Sequence, residues 1–469
     1  MRSNKIRTSH GRPTFLRNVL CGVSVTALCW SLLAAAPGAV SGASAASAPT
    51  YSTNTTSYCK AGATPITFWA WVPGIYRVVD VFNQTHPNIC VDYVTKVGGS
   101  GEYIPLLNAL KANSGAPDVA EIEFDVLPSF EVLHYTVNIA PYGAGKYKND
   151  FVNWAWSEVT QGNAIYAMPD DGGSTGLLYN AALLDKYGIT TPPTTWAQYA
   201  ADAVKVHQAN PKVFMGDFAA GDGQWVLALM QQAGAWPFVW NGGSKVTINF
   251  TGPKQIAFAN YWQKLISAGA IDHANDPFTS SSPFFEGLNS GIYLTWPTSA
   301  WGPSYFASYV TSKSAGDWVQ GTFPQWTAGG NSDGNWGGST YPVFTESKHP
   351  AQAAEFSEWL CASPQAWNLE VTPPSLLFPN FKPELAAPAM KSLTIPMLKK
   401  GTSLFGAPAK SAAGIPAVTW PPFMTYYLNS TTAWASKFFA GSQSLPQYFQ
   451  FLQTTMVNYA KQQGFTVST

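Results

Sequence analysis

The chain has 469 residues, 26 lysines and arginines against 26 aspartates and glutamates, and is 46% hydrophobic, 14% aromatic and only 11% charged. This composition excludes a disordered chain, and the length exceeds one hydrophobic core, which stops growing at roughly 250–300 residues, so two domains are expected. With 19 tryptophans in the sequence, the aromatic load has to be explained by core or by ligand.

Residues 1–45 read as a signal peptide. Arg2, Lys5, Arg7, Arg12 and Arg17 precede the apolar run Val19 to Ala36, and Ala43-Ser44-Ala45 supplies a small-residue cleavage pattern. The polar stretch "YSTNTTSY" beyond it favours cleavage over a retained anchor. A lipid anchor would need a small residue before the cysteine, whereas leucine precedes both Cys21 and Cys29. The segment carries five basic and no acidic residues, so the rest of the chain has 26 − 5 = 21 basic against 26 acidic groups. A net negative balance excludes nucleic acid as a partner. Arg77 is the only arginine beyond the signal. Arginine forks are the usual clamps for carboxylate and phosphate, so a neutral ligand is expected.

"ITFWAW", Ile66 to Trp71, reads as a strand, and Pro73-Gly74 leads into a helix. Its buried face is Ile75, Val78, Val79 and Phe82, with Arg77 and Asp80 outside. A second strand "ICVDYV", a loop "GGSGEY", a helix around Ile104, Leu107 and Leu110, and a third strand Asp118 to Phe124 follow. Strand alternating with helix predicts parallel β-α-β units of an α/β fold. Ligands of such sheets lie beyond the carboxyl ends of the strands, so Trp69–Pro73, Val97–Tyr103 and Glu121–Asp125 are the segments expected to reach a site. In an exported chain two of Cys59, Cys90 and Cys361 are expected to pair; Cys59 with Cys90 is favoured because each precedes a strand of the same early unit. Cys361, in an apolar helical run, is expected to be a buried thiol. The histidines and cysteines show no metal spacing, and no cofactor is expected.

A second α/β unit begins near "YAMPDDGGSTGLLYN", Tyr166 to Asn180. It continues through a Thr-capped helix with Trp196 and Tyr199 inside and the helices "WVLALMQQAG" and "KQIAFANYWQKLISAG". The extended run "SGIYLTWPTSAWGPSYF" and the segment "SDGNWGGSTYPVF" come next. The last helix places Phe449, Leu452, Met456 and Tyr459 on one face before Gly464 ends it.

The ordered segments "ITFWAWVPG…VDVFNQTHPNICV", "LKANSGAPDVAEIEFD", "YNAALLDKYGITTPPTTWAQYA", "NWGGSTYPVFTESKHPAQAAEFSEWL" and "YAKQQGF" resemble the family 1 extracellular solute-binding proteins of ABC importers, the sugar-binding group related to maltose-binding protein. The resemblance runs over nearly all of the chain beyond residue 45. It implies a two-lobed clamshell with discontinuous lobes: 46–170 in the first, 171–296 in the second, 297–337 in the first again and 338–469 in the second. Crossovers are then expected near Met168–Thr175, near Trp296–Trp301 and at Asn335–Gly338, where glycine, proline and serine allow a hinge. The implied role is capture of a mono- or oligosaccharide and its delivery to ABC importer permease subunits by an exported, monomeric, non-enzymatic protein of the cell envelope or its exterior.

A sugar offers an apolar face that stacks on a ring and hydroxyls that need carboxylate or amide partners in a dry cleft. The residues expected at the ligand are therefore Trp71 and Glu123 at strand ends, Asp171 in the first crossover, and Asp222 with Trp225 in "GDGQW". Trp301 at the second crossover, Trp336 with Gly337 at the last, and Trp420 just before two prolines in "VTWPPF" complete the set. Asp125 and Asp170 are weaker candidates. The plain alternatives are a core tryptophan for each ring and a helix cap or solvated loop carboxylate for each acid. An exported carbohydrate-active hydrolase would use the same residue types, with Glu123 and Asp125 as its carboxylates. A surface lectin would use them without hinges.

Overall fold

The structure, a computed structural model, describes residues 51–278 and 281–469. The expected signal peptide, residues 1–45, lies outside the described residues. No helix among the described residues is long and apolar enough to cross a membrane.

The first sheet is parallel, with strand Thr64–Ala70 between Ile89–Thr95 and Val119–Ala120. Alternation of Ile66, Phe68 and Ala70 buries one face, and helix Tyr76–Thr85 covers it with Val78, Val79 and Phe82. Cys59 and Cys90 form a disulfide with Cα atoms 5.2 Å apart, and Cys361 is a buried free thiol.

Three local expectations are corrected. Asp80 is fully buried, and burial raises its carboxyl to about 6. Arg77 does not stand free on the surface: its guanidinium donates to the carbonyls of Leu369, Thr372 and Pro373 and to Ser375 Oγ, at 2.8–3.3 Å. In helix Ser100–Ala112 the buried face is Tyr103, Leu106 and Leu110, and Ile104 is 56% exposed. The hydroxyl of Tyr103 sets this rotation by donating to Glu123 Oε2 at 2.8 Å.

The strand expected over Asp118–Phe124 is broken at Glu121. Val119–Ala120 stays in the parallel sheet, and Ile122–Glu123 joins an antiparallel one with Ser339–Tyr341 and Met168–Pro169. Buried Glu121 makes the break: its carboxylate accepts the N–H groups of Trp71 and Val72 and the hydroxyl of Ser339.

Strand Thr175–Asn180 lies between Thr295–Ser299 and Trp318–Gly321 in an antiparallel sheet. Helices Gly223–Gln232, Pro253–Ser267, Met424–Phe439 and Leu445–Gln462 pack in the same lobe. Helix Trp196–Ala209 starts with a reciprocal cap, Thr195 Oγ1 accepting the Gln198 N–H while Gln198 Oε1 accepts the Thr195 N–H.

This pairing differs from the expected boundaries. A division at 296/297 would cut strand Thr295–Ser299, and within 297–337 it is residues 297–299 and 318–321 that pair with Thr175–Asn180. Conversely, Ser339–Tyr341 pairs with Glu123 and Ile122, and helices Pro350–Ala362 and Pro364–Glu370 pack on the first sheet and its helix. Trp296–Trp301 is therefore not a crossover. Residues 171–174 and 335–338 do run side by side: the Trp336 N–H donates to Gly173 O at 3.0 Å and the Gly173 N–H to Asn335 Oδ1 at 2.8 Å. A Cβ on Gly173 would stand 1.8 Å from Trp336 O, so only glycine lets the two connections meet. A third connection follows Phe381, which bridges to Phe151 in the first lobe, whereas Leu398 bridges to Trp318 in the second.

Candidate functional site

Between the strand ends of the two lobes lies a cleft of about 900 Å³. Trp71, Glu123, Asp171, Asp222, Trp301, Trp336 and Gly337 all contribute to its lining, whereas Trp225 and Trp420 do not.

On the first-lobe wall Trp71 is half-buried, with its ring edge-on to Tyr103 at 6.0 Å. The carboxylate of Glu121 holds the Trp71 backbone in place at 2.8 Å. Glu123 accepts from the Tyr103 hydroxyl and returns its own N–H to the same oxygen at 3.2 Å. Asp171 accepts the Ser339 N–H at 2.7 Å, which ties the first connection to the second. The loop Pro374–Leu377 closes one end of this wall, and Arg77 and the Ser375 hydroxyl bind it to the Trp71–Gly74 loop.

On the second-lobe wall Asp222 is both cap and lining residue: one oxygen accepts the Trp225 N–H at 2.9 Å and the other has no partner. Gln224, next on the same helix, donates to Asp125 Oδ2 at 3.0 Å and bridges the two lobes. Trp301 is half-buried, with its Nε1 donating to Trp336 O at 2.9 Å. Gly337, at φ +78°, brings the backbone against that indole; a Cβ there would stand 3.3 Å from Trp301 Nε1.

Three tryptophan expectations are revised. Trp225 is 2% exposed, donates to Pro297 O and packs on Phe218 and Trp262, so it is a core residue. Trp420 is 5% exposed, meets Trp236 edge-on at 4.6 Å and donates to Glu158 Oε2 at 2.7 Å, away from the cleft. Trp336 borders the cleft but is only 1% exposed, because Trp301, Phe278 and Trp296 enclose its ring at 4.8–6.0 Å. The ring it supports, Trp301, is the one presented to the cleft.

Tyr103, Glu121, Gln224, Asp276, Tyr305 and Asn429 line the cleft as well and were not among the expected site residues. Tyr103 and Glu121 fell inside strand-end segments that pointed to the site, and Tyr305 lies one helical turn after Trp301. Asn429, inside a regular helix, carries no comparable sequence signal.

Among the described residues the titratable lining groups other than tyrosine are all carboxylates, and no lysine, arginine or histidine lines the cleft. Burial is the main cause that raises each of Glu121, Glu123, Asp171 and Asp222 above the usual carboxylate range, with Asp171 pushed to about 6. Asp125 behind them is pushed to about 8, by burial first and then by the charge of Glu123. Among the described residues no group of three or more His, Cys, Asp or Glu is placed to hold a metal ion. Such a surface offers hydrogen-bond acceptors beside exposed rings and no counter-charge for an anion.

The profile of the bacterial extracellular solute-binding proteins matches residues 67–366. The chain is 24% identical over 306 residues to the arabinooligosaccharide-binding protein of Bacillus subtilis (strain 168), covering 63% of this chain and 69% of that protein. It is 25% identical over 318 residues to the lactose-binding protein of Rhizobium radiobacter, covering 62% and 69%. Among solved structures, the ABC transporter associated binding protein from B. animalis subsp. lactis Bl-04, in complex with beta-1,6-galactobiose, superposes with a TM-score of 0.70 at 26% identity, covering 87% of this chain and 100% of that one. The galacto-N-biose-/lacto-N-biose I-binding protein of Bifidobacterium longum has the same fold, with a TM-score of 0.75 at 24% identity over 87% and 100% of the chains. With its two α/β lobes joined by hinge connections, the chain belongs to the bacterial extracellular solute-binding proteins, a family of substrate-binding proteins rather than enzymes.

Proposed function

We propose that this protein is the extracellular substrate-binding component of an ABC importer and captures a neutral mono- or oligosaccharide in its cleft. The carrying observation is the lining itself: indoles of Trp71 and Trp301 on opposite walls, carboxylates Glu123, Asp171 and Asp222 beside them, and no basic side chain among the described residues. Rings take the apolar face of a pyranose, and the acids accept from its hydroxyls. The names of the relatives, arabinooligosaccharide- and lactose-binding proteins, support the same class. In this reading the protein is exported, acts as a monomer outside the membrane, carries out no turnover, and presents its closed form to permease subunits. Its first lobe comprises the sheets around Thr64–Ala70 and Ser339–Tyr341, and its second the sheet around Thr175–Asn180.

Isothermal calorimetry against a broad panel of neutral glycans tests this. The expected outcome is a one-to-one complex that is independent of calcium and changes tryptophan fluorescence. Binding of amino acids or peptides with none to glycans would overturn the saccharide reading. Release of reducing sugar that is lost in Glu123→Gln would overturn the absence of turnover.

A further inference from the structure

Trp301, Tyr305 and Tyr309 recur every fourth residue along and just beyond helix Gly302–Ala307, which sets them on one face. Their ring centroids follow at steps of 6.5 and 5.8 Å. Trp301 and Tyr305 line the cleft, and Tyr309 continues the row outside it. Phe278 flanks the row, 6.1 Å from Trp301 and 5.5 Å from Tyr305.

Single exposed apolar side chains need no explanation. Here Tyr305, Tyr309 and Phe278 are 37%, 38% and 47% exposed and adjoin one another in a line that begins at the candidate site. The row is also held rigidly. Phe285 stacks on Tyr309 at 4.3 Å and covers one of its faces. Asn289 donates to Tyr309 O at 2.7 Å and accepts the Thr311 N–H and the Ser314 hydroxyl. At the inner end the Trp301 indole is fixed to Trp336 O. Ser308 also lines the cleft from this segment and is exposed.

Resting on the saccharide reading, we propose that this row is a subsite that extends beyond the cleft and that the ligand is an oligosaccharide of three or more units. One unit lies on Trp301 within the cleft, and the next units stack on Tyr305 and Tyr309 as the chain leaves it. The exposed Ser308 offers its hydroxyl to the sugar beside these rings. Successive pyranoses of a linear glycan follow one another at similar intervals, and because the planes of Trp301 and Tyr305 stand at 85° and those of Tyr305 and Tyr309 at 52°, the glycan turns from unit to unit as it follows the row. Preorganised rings lose little freedom on binding, which suits a stacking surface.

Ladders of malto-, galacto- and arabino-oligosaccharides from two to five units, measured by calorimetry, test the proposal. In the wild-type protein the tetrasaccharide of the recognised ladder should bind about tenfold more tightly than its disaccharide. Tyr305→Ala and Tyr309→Ala should each lower that tetrasaccharide-to-disaccharide ratio, and the double variant should bring it near one. A ratio near one in the wild type would overturn the subsite. So would variants that weaken all lengths by the same factor, which is the signature of a merely structural role. If no ladder and no other neutral glycan binds, the saccharide reading itself falls and takes the subsite with it.

Discussion

The two walls of the cleft are built differently. On the first, Glu121, Glu123 and Asp171 are engaged with backbone N–H groups and hydroxyls of a neighbouring loop, helix and strand, so its acids also hold the lobe together. On the second, Trp301 and Tyr305 stand on a bed of other rings, Trp336, Phe278 and Phe285, and keep part of their own surface exposed. Removing an acid from the first wall should therefore act mainly on folding, and removing a ring from the second mainly on binding.

The largest effect is expected at Glu121. Glu121→Ala leaves two N–H groups and a hydroxyl without an acceptor in a dry site, so urea unfolding should show a loss of about 3–5 kcal/mol. An unchanged midpoint would break the contrast between the walls. Trp225→Ala should cost a similar amount through the cavity it leaves in the second lobe. Trp301→Ala should instead weaken glycan binding about 30-fold, on the order of 2 kcal/mol, with a smaller loss of stability. If its unfolding midpoint dropped as far as that of Trp225→Ala, the ring would be core and not a platform.

The buried acids make stability depend on pH. Asp125 and Glu158 are each pushed up to about 8, chiefly by burial, whereas unfolded carboxylates titrate near about 4. Between those values the native state holds protons that the unfolded state has released. This contribution to stability is therefore complete below about pH 4 and is lost as pH rises toward about 8, at no more than about 1.4 kcal/mol per unit for each group. Melting temperatures taken from pH 5 to pH 9 should fall, and Asp125→Asn should flatten the slope. A rising curve would show that these acids are charged in the native state.

The smallest effect is expected at Arg77. Arg77→Lys keeps the charge but not the guanidinium that reaches four carbonyls and Ser375, so stability should fall by about 1–2 kcal/mol. Amide exchange should quicken at residues 372–377, and binding should weaken a few-fold as that end of the first wall loosens. Full protection of the loop in the variant would show that the Ser375–Pro73 bond holds it alone.

Much of the first lobe was legible from local pattern. Ile66, Phe68 and Ala70 alternate as a strand does, Val78, Val79 and Phe82 recur as a helix does, and the glycines at 172–173 and 337–338 marked connections that do lie together. The helix Ser100–Ala112 was placed correctly but its face was not, because Tyr103 follows a hydrogen bond to Glu123 that periodicity does not contain.

The sequence by itself determined the α/β alternation, the cysteine pair and the strand-end loops that reach the cleft, since each depends on neighbours a few residues away or on one covalent bond. Tertiary structure alone decided which lobe the segments after 296 enter and which tryptophans meet solvent. Pairing of Ser339 with Glu123 and burial of Trp336 beneath Trp301 join residues far apart in the chain. A tryptophan in a core and one in a cleft share the same local pattern, because hydrophobic periodicity reports that a side chain is covered and not what covers it.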